Sequence, residues 1–246
     1  MPEREPDSEH DRLYFRQLLA GRDFAKADPL AIQMVNFVYL VGDRKTEEAL
    51  LVDPAYNVQD LLDLATADGM RITGVLATHF HPDHIGGDMF GHEIQGIQKL
   101  LELQGMKVHI QRDESQWVKE ITGVSDADLE LHDSGDEVLV GDIRVRLIHT
   151  PGHTPGSQCF LVENRLVAGD TLFLDGCGRT DLPGGDARQL YQSLTQRLAK
   201  VPDDAVLYPG HLYSRDASAA MGTTRQNNTV FKPNTETDWL RMFGSA

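Results

Sequence analysis

Thr78-His79-Phe80-His81-Pro82-Asp83-His84-Ile85-Gly86-Gly87 places three imidazoles and a carboxylate within six positions. A helix would set His79 and His81 on nearly opposite sides, because side chains two apart do not face each other. Pro82 argues against a helix as well. The expected geometry is a strand running into a loop. Ile72 to Ala77 reads as that strand, a buried β run, and the loop then curls so that several side chains converge. Neutral imidazole and ionised aspartate are the donors that divalent zinc or iron accepts. A lone histidine is usually structural, whereas three with an aspartate at this spacing read as a metal site.

Upstream, Met34 to Val41 is rich in β-branched and aromatic residues and reads as a strand. Gly42 to Glu48 is a polar turn, and Ala49 to Val52 is the return strand, ended by Asp53-Pro54. Asn57 is placed to cap a helix with apolar residues at Val58, Leu61, Leu62 and Ala65, which Gly69 should stop. This strand–helix–strand unit ends in chemistry, as open α/β sheets often do. Leu13 to Leu19 reads as a short helix or an edge segment, and residues 1–12 as a charged, flexible terminus.

Downstream, residues 88–106 read as an inserted loop and helix near the site, a candidate lid. His92 and Glu93 there are either recruited ligands or solvated residues at a helix start. Lys107 to Gln111 is expected as a short strand with His109 on its surface, Asp113 to Thr122 as a helix packed through Trp117, and Asp126 to Glu137 as an acidic loop. Val138 to Ile148 is a hairpin about Gly141-Asp142, with Val138, Val140, Ile143, Val145 and Leu147 on the buried side. It feeds His149-Thr150-Pro151-Gly152-His153-Thr154-Pro155-Gly156, where Pro and Gly impose a fixed loop. His149 is either a packing residue or a support for the site. Gln158 to Glu163 and Arg165 to Ala168 are two more strands, the second ending at Gly169-Asp170. Asp186 caps a helix with Leu190, Leu194 and Leu198 on one face, and a last strand, Ala205 to Tyr208, ends at Pro209-Gly210-His211. Four strand ends thus deliver His79 and its neighbours, His153, Asp170 and His211, each beside a Gly or Pro that lets the backbone turn at the sheet edge. Ligands from separate strand ends can converge at one edge.

Composition bounds the function. The 246 residues carry a net charge of −15 and no polybasic run, which argues against binding nucleic acid through its phosphates. No apolar stretch approaches a membrane span, and the polar first residues lack a signal peptide's apolar core, so a cytoplasmic protein acting on a small-molecule substrate is expected. Cys159 and Cys177 are too few for a disulfide framework and should stay reduced, with Cys159 in the core.

From about Met34 to His211 the chain resembles the metallo-β-lactamase superfamily, through the His-x-His-x-Asp-His signature and the later His, Asp and His in order. The resemblance implies an α/β fold, a four-layer αββα sandwich of two mixed sheets flanked by helices, in one domain from 13 to 246 with a short extension after 211. It implies that His79, His81 and His153 hold one metal, that Asp83, His84 and His211 hold a second, and that Asp170 bridges them. Asp53 would orient the site from behind the ligands. The implied cofactors are two divalent ions, with zinc the default and iron or manganese suited to the same donors. A bridging water would become hydroxide near neutral pH and attack an acyl bond, with Asp83 also orienting that water.

Gly169-Asp-Thr-Leu-Phe173, Gly176-Cys-Gly-Arg179 and Leu190-Tyr191-x-Ser193-Leu194 are similar to glyoxalase II, a thioester hydrolase. Arg179 and Tyr191 are then candidate substrate contacts, weighed against a loop salt bridge and helix packing. The 35 residues after His211, with Arg215, Arg225 and Lys232, differ from the basic helical domain with which glyoxalase II grips glutathione. Gly176-Cys-Gly-Arg179-Thr180-Asp181 also resembles persulfide dioxygenases, in which one iron would sit on His79, His153 and Asp170. A lactonase or β-lactamase is the remaining alternative. Monomer and homodimer both stay open, as Trp239, Met242 and Phe243 could pack on a partner or on the chain's own core.

Overall fold

Strand patterning from residue 13 onward builds two six-stranded sheets, in a computed structural model that describes residues 12–244. In chain order the first half comprises β1 (Leu13–Leu19), α1 (Pro29–Met34), β2 (Phe37–Asp43), β3 (Glu48–Val52), α2 (Val58–Ala67), β4 (Arg71–Leu76), α3 (Pro82–Ile85), β5 (Gly87–Met89), β6 (His92–Ile94), α4 (Ile97–Leu103), β7 (Lys107–Gln111), α5 (Ser115–Thr122) and β8 (Leu129–His132). The second half comprises β9 (Glu137–Val140), β10 (Ile143–His149), β11 (Gln158–Val162), β12 (Arg165–Gly169), α6 (Ala187–Gln192), β13 (Val206–Pro209), β14 (Ala219–Ala220), α7 (Met221–Asn227) and α8 (Glu236–Phe243).

The first sheet runs β1-β2-β3-β4-β7-β8 and the second β14-β13-β12-β11-β10-β9. Both are mixed: β3, β4, β7 and β8 pair in parallel in the first, and β12 with β13 in the second. Their facing sides share one apolar layer, including Phe37, Val52, Leu76, Val145, Leu147 and Phe160. The outer side of the first sheet packs on α2, α4 and α5 through Leu61, Leu100 and Val118. That of the second packs on the C-terminal helices through Leu190, Met221 and Trp239. The expected αββα sandwich is the observed one. Among the described residues no helix is long and apolar enough to cross a membrane.

Several local expectations need correction. Pro82 starts a helical turn instead of preventing one: it stands in the first turn of α3, where its missing N–H costs no hydrogen bond. His79 and His81 precede that turn. The 88–106 insertion opens with a two-stranded hairpin, β5–β6, so His92 and Glu93 lie exposed on a strand and not at a helix start. The acidic stretch 126–137 contains β8, whose Leu129 packs into the core beneath an otherwise polar sequence. Leu13–Leu19 is the edge strand, paired antiparallel to β2. The run carrying Leu190, Leu194 and Leu198 keeps all three buried but passes from α6 into π- and 3₁₀-helical turns. The flexible-terminus expectation for 1–12 lies outside the described residues except at Arg12, which donates to both oxygens of Asp43 at 2.8 and 2.6 Å.

Candidate metal centre

Strand ends from both sheets meet at one edge of the sandwich. The chain beyond β4 supplies His79 and His81, and α3 supplies Asp83 and His84. The β10–β11 loop supplies His153, and the residues after β12 and β13 supply Asp170 and His211. Close backbone approach makes this possible. Gly169 has φ +49°, and a Cβ there would lie 2.5 Å from Thr78 Oγ1. A Cβ on Gly178 would lie 2.1 Å from the Asp170 carbonyl oxygen and 2.8 Å from His153 Nδ1, so the Gly-Cys-Gly-Arg segment is laid directly on the site.

Four imidazoles are anchored through Nδ1, which turns Nε2 inward. His84 Nδ1 donates to Asp53 Oδ2 at 3.0 Å, His153 Nδ1 to the Arg179 carbonyl at 2.7 Å, and His211 Nδ1 to the Met34 carbonyl at 2.7 Å. His79 Nδ1 lies 3.0 Å from Thr78 Oγ1, which donates in turn to Asp53 at 2.6 Å. Asp53 therefore orients two histidines from behind, as carboxylates do for metal-binding imidazoles. His81 presents Nδ1 instead, 3.1 Å from His79 Nε2 and 3.0 Å from His153 Nε2.

Two donor sets result: His79, His81 and His153, and Asp83, His84 and His211. In the second, His84 Nε2 is 3.2 Å from His211 Nε2 and 3.6 Å from Asp83 Oδ2. Donors about 2 Å from a common ion lie roughly 3–3.5 Å apart, so both sets have the right span. Asp170 lies between them: Oδ1 is 3.4 Å from His84 Nε2, and Oδ2 is 3.4 Å from His211 Nε2 and 3.8 Å from His153 Nε2. Asp170 Oδ1 is buried without a hydrogen-bond partner, the state of an oxygen meant for a cation.

Charge points the same way. Burial pushes the His79 pKa well below the ordinary value, helped by neighbouring His84, His81 and His153, and burial brings His81 down to about 3. The first set is therefore neutral imidazole, the form that binds metal. Burial also opposes charge on His84, but Asp170, Asp83 and Asp53 together overcome it and raise its pKa to about 10. Burial would raise Asp170, yet His211 and His84 hold it well below the carboxylate range. The second set thus demands positive charge, which protons meet in the free chain and a divalent ion can meet in their place.

Some residues here were not foreseen. The Asn36 amide donates to Asp83 Oδ2 at 3.1 Å and lies 3.4 and 3.5 Å from His84 and His211 Nε2, its orientation fixed by Tyr56, whose hydroxyl donates to Asn36 Oδ1 at 2.8 Å. The signal was its position as the one polar residue in the apolar run 34–41. Tyr213 stacks on His211 with ring centroids 4.6 Å apart. A cavity of about 510 Å³ opens above His81, Asp83, His153, Asp170 and His211, with Met89, Phe90, Phe173 and Tyr213 on its walls. Phe90, at the β5–β6 tip, is fully exposed and stands with Met89 at the rim of this cavity, which is where the 88–106 insertion borders the site.

The two expected substrate contacts fare differently. Arg179 lines the cavity, but its guanidinium forks onto Asp181 at 2.6 Å and its carbonyl holds His153. Tyr191 packs against Trp239, with ring centroids 5.8 Å apart, away from the cavity lining. It belongs to the helical layer because α6 turns that face toward α8. His149 bonds to the Pro155 carbonyl at 2.9 Å and so holds the loop bearing His153. Cys159 is core, and burial pushes the Cys177 thiol, which lines the cavity, up to about 12.

Glu114 supports the same loop. It is buried, accepts from Thr154 Oγ1 and from Gly156 N at 2.8 Å, and keeps Oε2 unpartnered. Burial raises its pKa from 4.5 to about 7 against those bonds. The folded chain then binds more protons than the unfolded one between pH 4.5 and about 7. The stability from this proton is full below that window and is lost as pH rises through it, about 3 kcal/mol in all. Glu114→Gln is expected to remove this slope; urea unfolding at pH 5 and 8 measures it, and an unchanged slope in the variant would refute the assignment.

Comparison with known proteins identifies the family. A family model described as "Metallo-beta-lactamase superfamily" matches residues 33–211. The human mitochondrial persulfide dioxygenase ETHE1 is 35% identical over 212 residues, 80% of this chain and 74% of that protein. The hydroxyacylglutathione hydrolase of Rhodopseudomonas palustris is 34% identical over 212 residues, 85% of this chain and 75% of that one. The crystal structure of ETHE1 from Myxococcus xanthus superposes with a TM-score of 0.76 at 29% identity, covering 94% of this chain and 90% of that one. The chain belongs to the metallo-β-lactamase superfamily and is a metal-dependent enzyme.

Proposed function

We propose that the chain is a dinuclear metal-dependent hydrolase of a thioester or related acyl bond in a small-molecule substrate. The observation that carries this reading is Asp170, whose carboxylate spans two complete donor sets and keeps one buried oxygen unpartnered. In this assignment His79, His81 and His153 hold one ion, Asp83, His84 and His211 hold the other, and Asp170 serves both. Zinc is the default, with iron or manganese fitting the same donors. Bound there, two divalent ions would supply Lewis acidity and a water of lowered pKa. The chain's own groups do the rest. Asp53, Thr78 and the Arg179 and Met34 carbonyls fix the imidazoles before substrate arrives. Asp83, which lines the cavity, can accept a hydrogen bond from an attacking water as well as ligate a metal through its other oxygen. A thiolate leaving group needs little proton donation from the protein.

The walls are assigned to the acyl substrate. Phe90 is fully exposed in the free chain, so its ring is available for bound substrate to cover. Phe90→Ala is expected to raise KM about 10-fold, the loss of that one aromatic contact, with kcat changed less than about 2-fold. Steady-state kinetics check this, and an unchanged KM would remove the hairpin from substrate binding.

A second reading, oxidation of a persulfide on a single iron, is favoured by the near full-length match to ETHE1 from Myxococcus xanthus and by the Asn36 amide, which makes the two donor sets unequal. One experiment separates the two. Thiol release from acylglutathione thioesters is measured without oxygen on zinc-loaded protein, and oxygen uptake with glutathione persulfide on iron-loaded protein. Anaerobic thiol release supports the hydrolase. Oxygen uptake with no thioester turnover overturns it in favour of the dioxygenase.

A further inference from the structure

A second group of histidines lies outside this centre. In the parallel β7–β8 pair, His109 stands opposite Glu130 and Gln111 opposite His132. Side chains on one strand alternate with a period of two, so His109, Glu130 and His132 share one face of the sheet. The other face carries Val108, Ile110 and Leu129 into the helical layer. His109 Nδ1 lies 3.0 Å from His132 Nε2 and 3.7 Å from Glu130 Oε2, and one donor atom from each of the three residues falls within 4.8 Å of the others. The other nitrogen of His132 faces Asp136 Oδ2 at 3.6 Å.

We infer that His109, His132 and Glu130 form a further site for a divalent transition metal of the zinc class, separate from the catalytic centre. Two imidazoles and a carboxylate are a common zinc donor set, and imidazole also suits copper and nickel. The half-exposed Glu130 leaves the fourth position open to water. A carboxylate beside the outer nitrogen of a ligand histidine is a recurrent feature of such sites, and Asp136 stands there. The cross-strand register sets Glu130 beside His109, and together with the 3.0 Å histidine contact it brings three donor atoms to one point. The site joins β7 to the edge strand β8, so a bound ion would staple that edge strand to its neighbour. The inference does not depend on the reaction proposed above.

The test is zinc stoichiometry by elemental analysis of the full chain, loaded with excess zinc and desalted. Wild type is expected to retain one more zinc ion per chain than His109→Gln/His132→Gln, whatever number the catalytic centre holds, with the variant's turnover unchanged. Because His132 is buried, Glu130→Gln serves as a second variant that leaves the packing intact, and it should weaken this one zinc equivalent at least about 10-fold. Zinc-edge anomalous density between His109 Nδ1 and His132 Nε2 locates the ion. Equal zinc content in wild type and a folded double variant, or no effect of Glu130→Gln on zinc affinity, would overturn the site and leave a hydrogen-bonded histidine pair.

Discussion

Asp170→Asn is expected to strip metal from both halves of the catalytic centre and to lower kcat/KM by more than about 10³-fold, equivalent to roughly 4 kcal/mol of transition-state stabilisation. The amide keeps the carboxylate's shape. It removes the negative charge that, with Asp83 and Asp53, makes the second donor set demand a cation. It also leaves at most one oxygen where two now face His84, His211 and His153. Metal content after gel filtration and steady-state kinetics on the same preparation read both effects. Full metal retention with turnover within about 10-fold of wild type would show that Asp170 is a bystander.

The second large effect concerns the C-terminal segment. Trp239 is completely buried, its indole N–H donates to the Val230 carbonyl at 3.0 Å, and its ring meets Tyr191 and Phe243. Trp239→Ala deletes one of the largest side chains of the outer layer and should cost about 3–5 kcal/mol in chemical unfolding. For a chain of this size that corresponds to a melting temperature lower by roughly 10 °C. A loss under about 1 kcal/mol would mean that α8 is not part of the cooperative core. The catalytic donors should keep their metal at temperatures where the variant stays folded.

Much of this centre was legible in the linear sequence, for a physical reason. Four of the donors, His79, His153, Asp170 and His211, follow strands of the two sheets at one edge of the sandwich, where neighbouring Gly and Pro let the backbone turn, so they can converge there. What lay in tertiary contacts was hidden. Nothing local marks Tyr56 as the residue that turns the Asn36 amide toward Asp83, or Glu114 as the buried acid under the His153 loop. Tyr191 sat in a motif suggestive of substrate, but the register of α6 sends it to Trp239. Pro82 misled in a different way: a proline signals a helix break only in a helix interior, and at the first turn it signals a start. The strand at 129–132 was masked by acidic neighbours, because an edge strand needs few apolar residues to pair.

The measurement that tests the central claim most directly is zinc-edge anomalous diffraction from crystals of the zinc-loaded protein. Two peaks about 3.5 Å apart are expected at the cavity floor, one against His79, His81 and His153 and one against Asp83, His84 and His211, with Asp170 touching both. A single peak held by His79, His153 and Asp170, with Asp83, His84 and His211 bonded only to protein at saturating zinc, would contradict the dinuclear account.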